Sequence, residues 1–373
     1  MTLHAILVPK WGLAMEEGTI ANWLVEPGVE IKAGMEIVDI ETSKIANVLE
    51  ATVSGTLRRL TAEPGEVKQV GHLIAVVSDG GEDDAEIDAF VADYKGREAQ
   101  EESGTSAAPV PEVVEVAGKR VRYLKIAAAS EDKEVPVVLL HGFGGDHANW
   151  MFNQADLAQT RDTYAVDLPG HGGSAKDVGA GTLETLADTV LGWADAVGLG
   201  AFHLVGHSMG SAVAQQVALK APDRVKSLGL LCPPFLGSAL NQDYVNGFIS
   251  AQRRKDLQPF VEMLFADPAL VTREMLDDLI ASKRLDGATE ALQKLADGAL
   301  TEEALARLRE DAVGIALPTL AIFGEQDRIV VGRRVEGFTG RTENLPGSGH
   351  MPHLERAPAV NQLLTEFMAA STR

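Results

Sequence analysis

A chain of 373 residues is longer than one hydrophobic core usually fills, and it suits two folded units. Its net charge of −21 disfavours nucleic acid as a partner, because phosphate contacts need clustered cations. Cys232 is the one cysteine, so no intrachain disulfide can form, which fits a reducing compartment. No apolar run approaches the about 20 residues that cross a bilayer. The first residues show neither a secretory leader nor a transit-peptide pattern, so a cytoplasmic protein with no membrane partner is expected. The acidic surface reads first as a device for solubility.

Residues 1–78 are rich in short β-branched stretches broken by Gly and Pro, the pattern of short strands and tight turns. The region also repeats itself. Gly18-Thr19-Ile20, Glu26-Pro27-Gly28, Gly34 and Ile37 return 37 residues later as Gly55-Thr56-Leu57, Glu63-Pro64-Gly65, Gly71 and Ile74. Two similar β-units facing each other across a pseudo-twofold axis are expected. The strands that pass from one copy to the other turn within residues 39–46, which places Ser43-Lys44 at an exposed tip. A lone surface lysine is usually only a solvated charge. At the point farthest from both cores, however, it suits an arm that must reach other sites. Residues 3–77 resemble the lipoyl-domain family. Pro9, Gly12, Met15, Glu17-Gly18, Ile20 and Trp23 match its opening pattern, and Glu41-Thr42-Ser43-Lys44 matches its attachment turn. The resemblance implies an all-β flattened barrel of the lipoyl/biotinyl type with lipoate covalently on Lys44, added by a lipoate ligase or lipoyl transferase. The usual turn is Asp-Lys-Ala, whereas this chain has Ser43-Lys44-Ile45. Biotin carriers share the architecture but flank the lysine with methionines, so Ser43 and Ile45 favour lipoate.

Residues 79–111 shift to Asp, Glu, Ala, Gly and Ser and read as an acidic, flexible linker. Within it, residues 83–94 fit one short amphipathic helix, either docked on a neighbour or solvated.

From residue 112 to 373, strands alternate with helices. Continuously apolar runs at 136–140, 202–205, 225–231 and 319–323 indicate a parallel sheet buried on both faces. Strand signals stop between about 233 and 317, and consecutive helices form an insertion at about 233–312. Gly206-His207-Ser208-Met209-Gly210 stands between an apolar run and a helical stretch, the strand–turn–helix setting of a nucleophile elbow. Ser208 needs a base and an orienting acid. Asp327, just after the run at 319–323, and His350, within Gly347-Ser348-Gly349-His350, supply them in the order Ser, Asp, His. Glu325 and His353 are the competing candidates. His207 is expected to point away from the serine as a packing residue. The oxyanion needs two backbone donors. Met209 N–H is one, and Phe143 N–H, in the run His141-Gly142-Phe143-Gly144-Gly145, is the other.

Residues 113–371 resemble the α/β-hydrolase superfamily, including Asp167-Leu168-Pro169-Gly170-His171-Gly172-Gly173-Ser174, a segment more structural than catalytic. The resemblance implies an α/β-hydrolase fold with the helical insertion as a cap over the substrate pocket. No metal site is expected. Chains that join these two domains resemble the dihydrolipoamide acetyltransferase component of acetoin dehydrogenase complexes. That resemblance implies an acyltransferase that moves acetyl from the arm to coenzyme A. Its partners would be a thiamine-diphosphate-dependent acetoin dehydrogenase component and dihydrolipoamide dehydrogenase. A thioesterase that releases free acid and a non-catalytic carrier scaffold remain the alternatives. The chain has no His-x-x-x-Asp-Gly motif and no recognisable peripheral-subunit-binding domain, so docking and homo-oligomeric state stay open. Arg253-Arg254-Lys255 could meet coenzyme A phosphates, but it reads better as a charged helix face.

Overall fold

The computed structural model describes residues 3–9, 17–41, 46–51, 53–80, 83–102, 109–313, 316–332 and 336–371. It divides into two compact units, 1–108 and 109–373.

In the first unit the strands are β1 (Leu3–Leu7), β2 (Glu17–Trp23), β3 (Glu30–Ile31), β4 (Glu36–Glu41), β5 (Ala46–Glu50), β6 (Gly55–Leu60), β7 (Val67–Gln69) and β8 (Leu73–Ser78). They form two four-stranded sheets, ordered β1-β8-β6-β3 and β5-β4-β2-β7. Exchanging each strand of the first copy for its counterpart in the second turns one order into the other. The backbone carries the same symmetry. Gly28 N–H donates to Leu57 O and Gly65 N–H to Ile20 O, both at 2.7 Å, while Ile20 and Leu57 are themselves repeat mates. Gly28 and Gly65 sit at φ of 94° and 89°, where an L side chain is strained, which is why the repeat keeps glycine at this turn. Ile20, Ile37, Leu57 and Ile74 are fully buried between the sheets.

Glu41 and Ala46 are register partners of β4 and β5, so residues 42–45 form the connection between them. Lys44 lies within that connection, with Thr42, Ser43 and Ile45, and all four fall outside the described residues, as do Gly12 and Met15.

The helix expected over 83–94 runs farther, as α1 (Asp84–Glu102). Asp83 Oδ1 accepts from Glu86 N–H and Glu86 Oε2 from Asp83 N–H, a reciprocal pair that closes the helix start. Ile87 is buried on Leu73 and Val76, with Phe90, Val91 and Tyr94 half-buried beside it. Part of the segment expected as linker therefore packs on the outer face of the β1-β8-β6-β3 sheet. Apolar periodicity ends at Tyr94, but residues 95–102 are mostly good helix formers and carry the helix on.

The second unit begins with β9 (Glu112–Val116), β10 (Lys119–Ile126) and β11 (Glu134–Leu140). There follow α2 (Gln154–Leu157), β12 (Arg161–Val166), α3 (Leu183–Ala196), β13 (Phe202–His207), α4 (Met209–Lys220) and β14 (Val225–Leu231). A short β15 (Ala239–Leu240) leads into α5 (Gln242–Ser250), α6 (Arg254–Glu262), α7 (Arg273–Lys283), α8 (Ala288–Ala299) and α9 (Glu302–Ala312), the expected run of cap helices. The sheet resumes with β16 (Thr319–Gly324), β17 (Val330–Val331) and β18 (Arg341–Leu345), before α10 (Pro352–Glu355) and α11 (Ala357–Ser371). Eight strands pair in the order β18-β16-β14-β13-β11-β12-β10-β9. They are parallel except where β10 meets β12 and β9. Alternate side chains of the central strands go to opposite cores. Val138 and Leu140 pack with α3 and α4, and Val137 and Leu139 pack with α11. Burial on both faces is what the continuous apolar runs require. It aligns the carboxyl ends of β11, β13, β14 and β16 along one rim.

Candidate active site

Ser208 stands where β13 ends and α4 begins, at φ 51° and ψ −120°, a strained conformation for a residue with a side chain. Two close approaches hold it there. A Cβ on Gly206 would lie 2.3 Å from Gly210 O, and one on Gly210 would lie 2.4 Å from Leu140 O. Only glycine fits at either position, so the motif's two glycines are steric requirements of the turn. Ser208 N–H donates to Leu231 O at 2.8 Å, fixing the turn to β14.

His350 and Ser208 line one cleft. His350 Nδ1 meets Asp327 Oδ2 at 2.8 Å. The other carboxylate oxygen accepts from Ile329 and Val330 N–H at 2.8 and 3.0 Å. Burial acts to raise the Asp327 carboxyl, but the adjacent His350 and these donors outweigh it and hold Asp327 below the usual carboxylate range. With Nδ1 engaged, Nε2 is the ring nitrogen left to exchange protons with the serine. The competing residues are placed elsewhere. Glu325 is exposed. His353 is buried between Trp150 and His207, with ring centroids at 4.7 and 4.5 Å. Burial pushes it down to about 3, so it stays neutral.

Met209 N–H opens α4, where helix amides have no intrahelical partner and the helix dipole favours negative charge. Phe143 lines the cleft opposite, in the turn after β11. Between them a Cβ on Gly142 would lie 3.1 Å from Ser208 Cβ, so this loop lies directly against the serine.

The cap furnishes apolar lining: Tyr244, Phe248, Leu264, Met275 and Leu279 line the same cleft as Ser208. Arg253 and Arg254 do not line it. They pair with Asp256 at 2.7 Å and Asp277 at 2.9 Å, as a charged helix face would.

Three residues have parts that the sequence did not reveal. His207 is a packing residue as expected, but its Nε2 also meets His350 O at 2.7 Å, so it holds the histidine loop. Cys232, at φ 46° directly after β14, brings its Sγ within 4.8 Å of the Asp327 and His350 donor atoms. Burial first, then the Asp327 charge, pushes its thiol well up, so it remains protonated. Lys283 is buried in the cap and donates to Phe248 O and to Ala251 O, the latter at 2.5 Å, at the carboxyl end of α5. Its ammonium lies 5.1 Å from the Phe248 ring, and burial lowers it to about 8. No sequence motif marks these three contacts, since each joins segments separated along the chain.

Comparisons with known proteins agree with this geometry. A family model described as the alpha/beta hydrolase fold matches residues 135–357, and one described as biotin-requiring enzyme, of the biotin/lipoyl type, matches residues 4–77. The 2-hydroxy-6-oxo-6-phenylhexa-2,4-dienoate hydrolase of Rhodococcus covers 70% of this chain and all of its own, with a TM-score of 0.60 and 22% identity, a likeness of fold. The dihydrolipoyllysine-residue acetyltransferase component of the acetoin cleaving system of Pseudomonas putida is 42% identical over 370 residues, 98% of each chain. Its counterpart in Cupriavidus necator is 42% identical over 374 residues, again 98% of each. With both domains matched in one collinear alignment, the chain belongs to the family of dihydrolipoyllysine-residue acetyltransferase components of acetoin cleaving systems.

Proposed function

We propose that Ser208 takes the acetyl group from a thioester carried on the lipoyl arm of Lys44 and passes it to the thiol of coenzyme A. The supporting observation is that one chain holds a lipoyl-type carrier unit and a cleft lined by both a strained serine and an aspartate-bound histidine. The enzyme class is that of its family, a dihydrolipoyllysine-residue acetyltransferase acting in acetoin cleavage. Lys44 is the lysine in the short connection between the paired residues Glu41 and Ala46, and so the attachment point that fits the carrier fold.

Lipoate, when bound, supplies a thiol that carries acyl groups as thioesters. The protein's own residues do the rest. His350 Nε2 takes the hydroxyl proton of Ser208 as Oγ bonds to the acyl carbon, while Phe143 and Met209 N–H hold the oxyanion. The carbon–sulfur bond breaks and His350 returns the proton to the departing thiolate. In the second half, His350 takes the proton of the coenzyme A thiol as its sulfur bonds to the acyl carbon. The Ser208 ester bond breaks and the proton returns to Oγ. Asp327 stabilises the imidazolium in both halves. The apolar cap wall favours a thiol over water as the second nucleophile.

The partners proposed are a thiamine-diphosphate-dependent acetoin dehydrogenase component, dihydrolipoamide dehydrogenase and a lipoate-attaching enzyme. The compartment proposed is the cytoplasm. Among the described residues no helix is long and apolar enough to cross a membrane. Incubating the protein with acetyl-dihydrolipoamide, with and without coenzyme A, tests the reading. Acetyl-CoA is the expected product, and Ser208→Ala should lower its rate by about 10³-fold or more. Free acetate as the sole product, or an unimpaired Ser208→Ala, contradicts it. Intact mass should show a lipoyl addition that Lys44→Arg abolishes.

A further inference from the structure

The segment 167–174, conspicuous in the sequence, lies outside the Ser208–His350–Asp327 constellation, yet it touches the loop that carries Phe143. His171 Nε2 accepts from Gly144 N–H at 3.0 Å, and its Nδ1 meets Pro169 O at 3.1 Å. A carbonyl can only accept, so Nδ1 carries the proton and the ring is neutral. His141 is held in the same way: Nδ1 donates to Gly142 O at 2.8 Å and Nε2 accepts from Leu168 N–H at 2.9 Å. Both histidines are buried, and their rings meet edge to face at 4.9 Å.

Each of these bonds grips a different peptide plane. In a trans peptide the carbonyl and the following N–H point in opposite directions. Gly142 O accepts both from His141 and from Gly145 N–H at 3.1 Å, so the N–H of Phe143 on that plane is turned the other way. The next plane is fixed by its own N–H, that of Gly144, through His171. The anchor behind them is rigid. Asp167 is fully buried, and its carboxylate accepts from Arg122 Nε at 2.5 Å, Gly173 N–H at 2.8 Å and His147 N–H at 2.7 Å. Ser174 Oγ closes the loop by donating to Asp167 O at 2.6 Å.

We propose that His141 and His171 are positioning residues for the oxyanion site, locking the two consecutive peptide planes that aim Phe143 N–H at the acyl oxygen. The segment 167–174 is then the mount of the oxyanion loop. This inference rests on the function proposed above, because it presupposes an oxyanion formed at Ser208.

The experiment uses the lipoylated full-length protein in four forms: unmodified, Ser208→Ala, His171→Phe and His171→Gln. Acetyl transfer from acetyl-dihydrolipoamide to coenzyme A is measured together with inhibition by an alkylboronic acid, whose serine adduct places an oxygen in the oxyanion site. Phe keeps the ring shape and loses the acceptor, whereas Gln keeps an acceptor oxygen. For His171→Phe, kcat should fall about 10- to 100-fold, less than deleting an oxyanion donor outright, with KM within about threefold. Boronate binding should weaken by a factor similar to the loss in kcat, and His171→Gln should recover part of both. His141→Phe provides the same test from the other peptide plane should His171→Phe not fold. An unchanged kcat and boronate affinity in a folded His171→Phe or His141→Phe protein, with Ser208→Ala inactive, overturns the positioning role alone. A fully active Ser208→Ala overturns the acyl-transfer reading beneath it.

Discussion

Asp327 and Glu325 stand two residues apart in one loop, and their surroundings give them opposite fates. Asp327 binds His350 and two backbone amides; Glu325 is exposed. Asp327→Asn should lower kcat by about 10³- to 10⁴-fold, because the amide no longer holds the ring in the proton-accepting tautomer or balances the imidazolium. Glu325→Gln should leave turnover within about twofold. Steady-state rates of the two variants decide, and equal losses would place the acid wrongly. At this scale the sequence was legible wherever function needs a fixed spacing. Ser208 sits in a five-residue turn that tolerates only glycine at its ends, and His350 and Asp327 follow in the order the sheet imposes. It was silent on Cys232, Lys283 and the bond from His207 to the His350 carbonyl. Nothing local marks a residue whose partner lies from about 30 to more than 140 positions away.

At the scale of elements, the internal repeat is the most informative pattern in the chain. It specifies which strands are equivalent, and the sheet orders obey that equivalence. It also makes a quantitative statement. Gly28 and Gly65 lie at matching positive φ, and a Cβ at either would meet nothing within 4 Å, so substitution there costs conformational strain only. Gly28→Ala and Gly65→Ala should each destabilise the carrier unit by about 1–2 kcal/mol, and by similar amounts. Chemical denaturation of the full chain followed by hydrogen exchange of the β2–β8 amides would show it; a large inequality would argue against equivalent turns. Helix α1 shows the opposite case. Its apolar positions, Ile87, Phe90, Val91 and Tyr94, reveal a helix with one sticky side. The sequence does not say that β8 supplies the surface, nor that polar residues would carry the helix on to Glu102.

Across the whole molecule, the hydrolase-type unit gathers its histidines in the interior. His171 and His353 are pushed down to about 3 and His203 to about 4, and burial lowers His141 and His207 as well. All five are neutral when folded, while in the unfolded chain they take up protons near 6.5. The unfolded state therefore binds more protons below that pH, and stability falls as the pH drops from about 6.5 towards 4. Below that, Asp327, held low in the fold, adds to the loss in the same direction. Urea unfolding at pH 7.5 and pH 5 should show a lower midpoint at the acid value, and an unchanged midpoint would mean that these rings are not buried neutral. The two-unit organisation, the parallel sheet and the cap all follow from patterns along the chain. The mounting of the oxyanion loop on residues 167–174 does not, since it needs two loops separated by a full strand and helix to meet.

The relay from Lys44 to Ser208 is tested most directly by trapping its midpoint. The lipoylated, acetyl-charged full-length protein is quenched before coenzyme A is added, and the peptide containing Ser208 is weighed. An acetyl group is expected on Ser208, and it should disappear, with stoichiometric acetyl-CoA, once coenzyme A is supplied. Acetyl-CoA formed at the normal rate by Ser208→Ala, with no acetylated serine in the unmodified protein at any time, would contradict the relay.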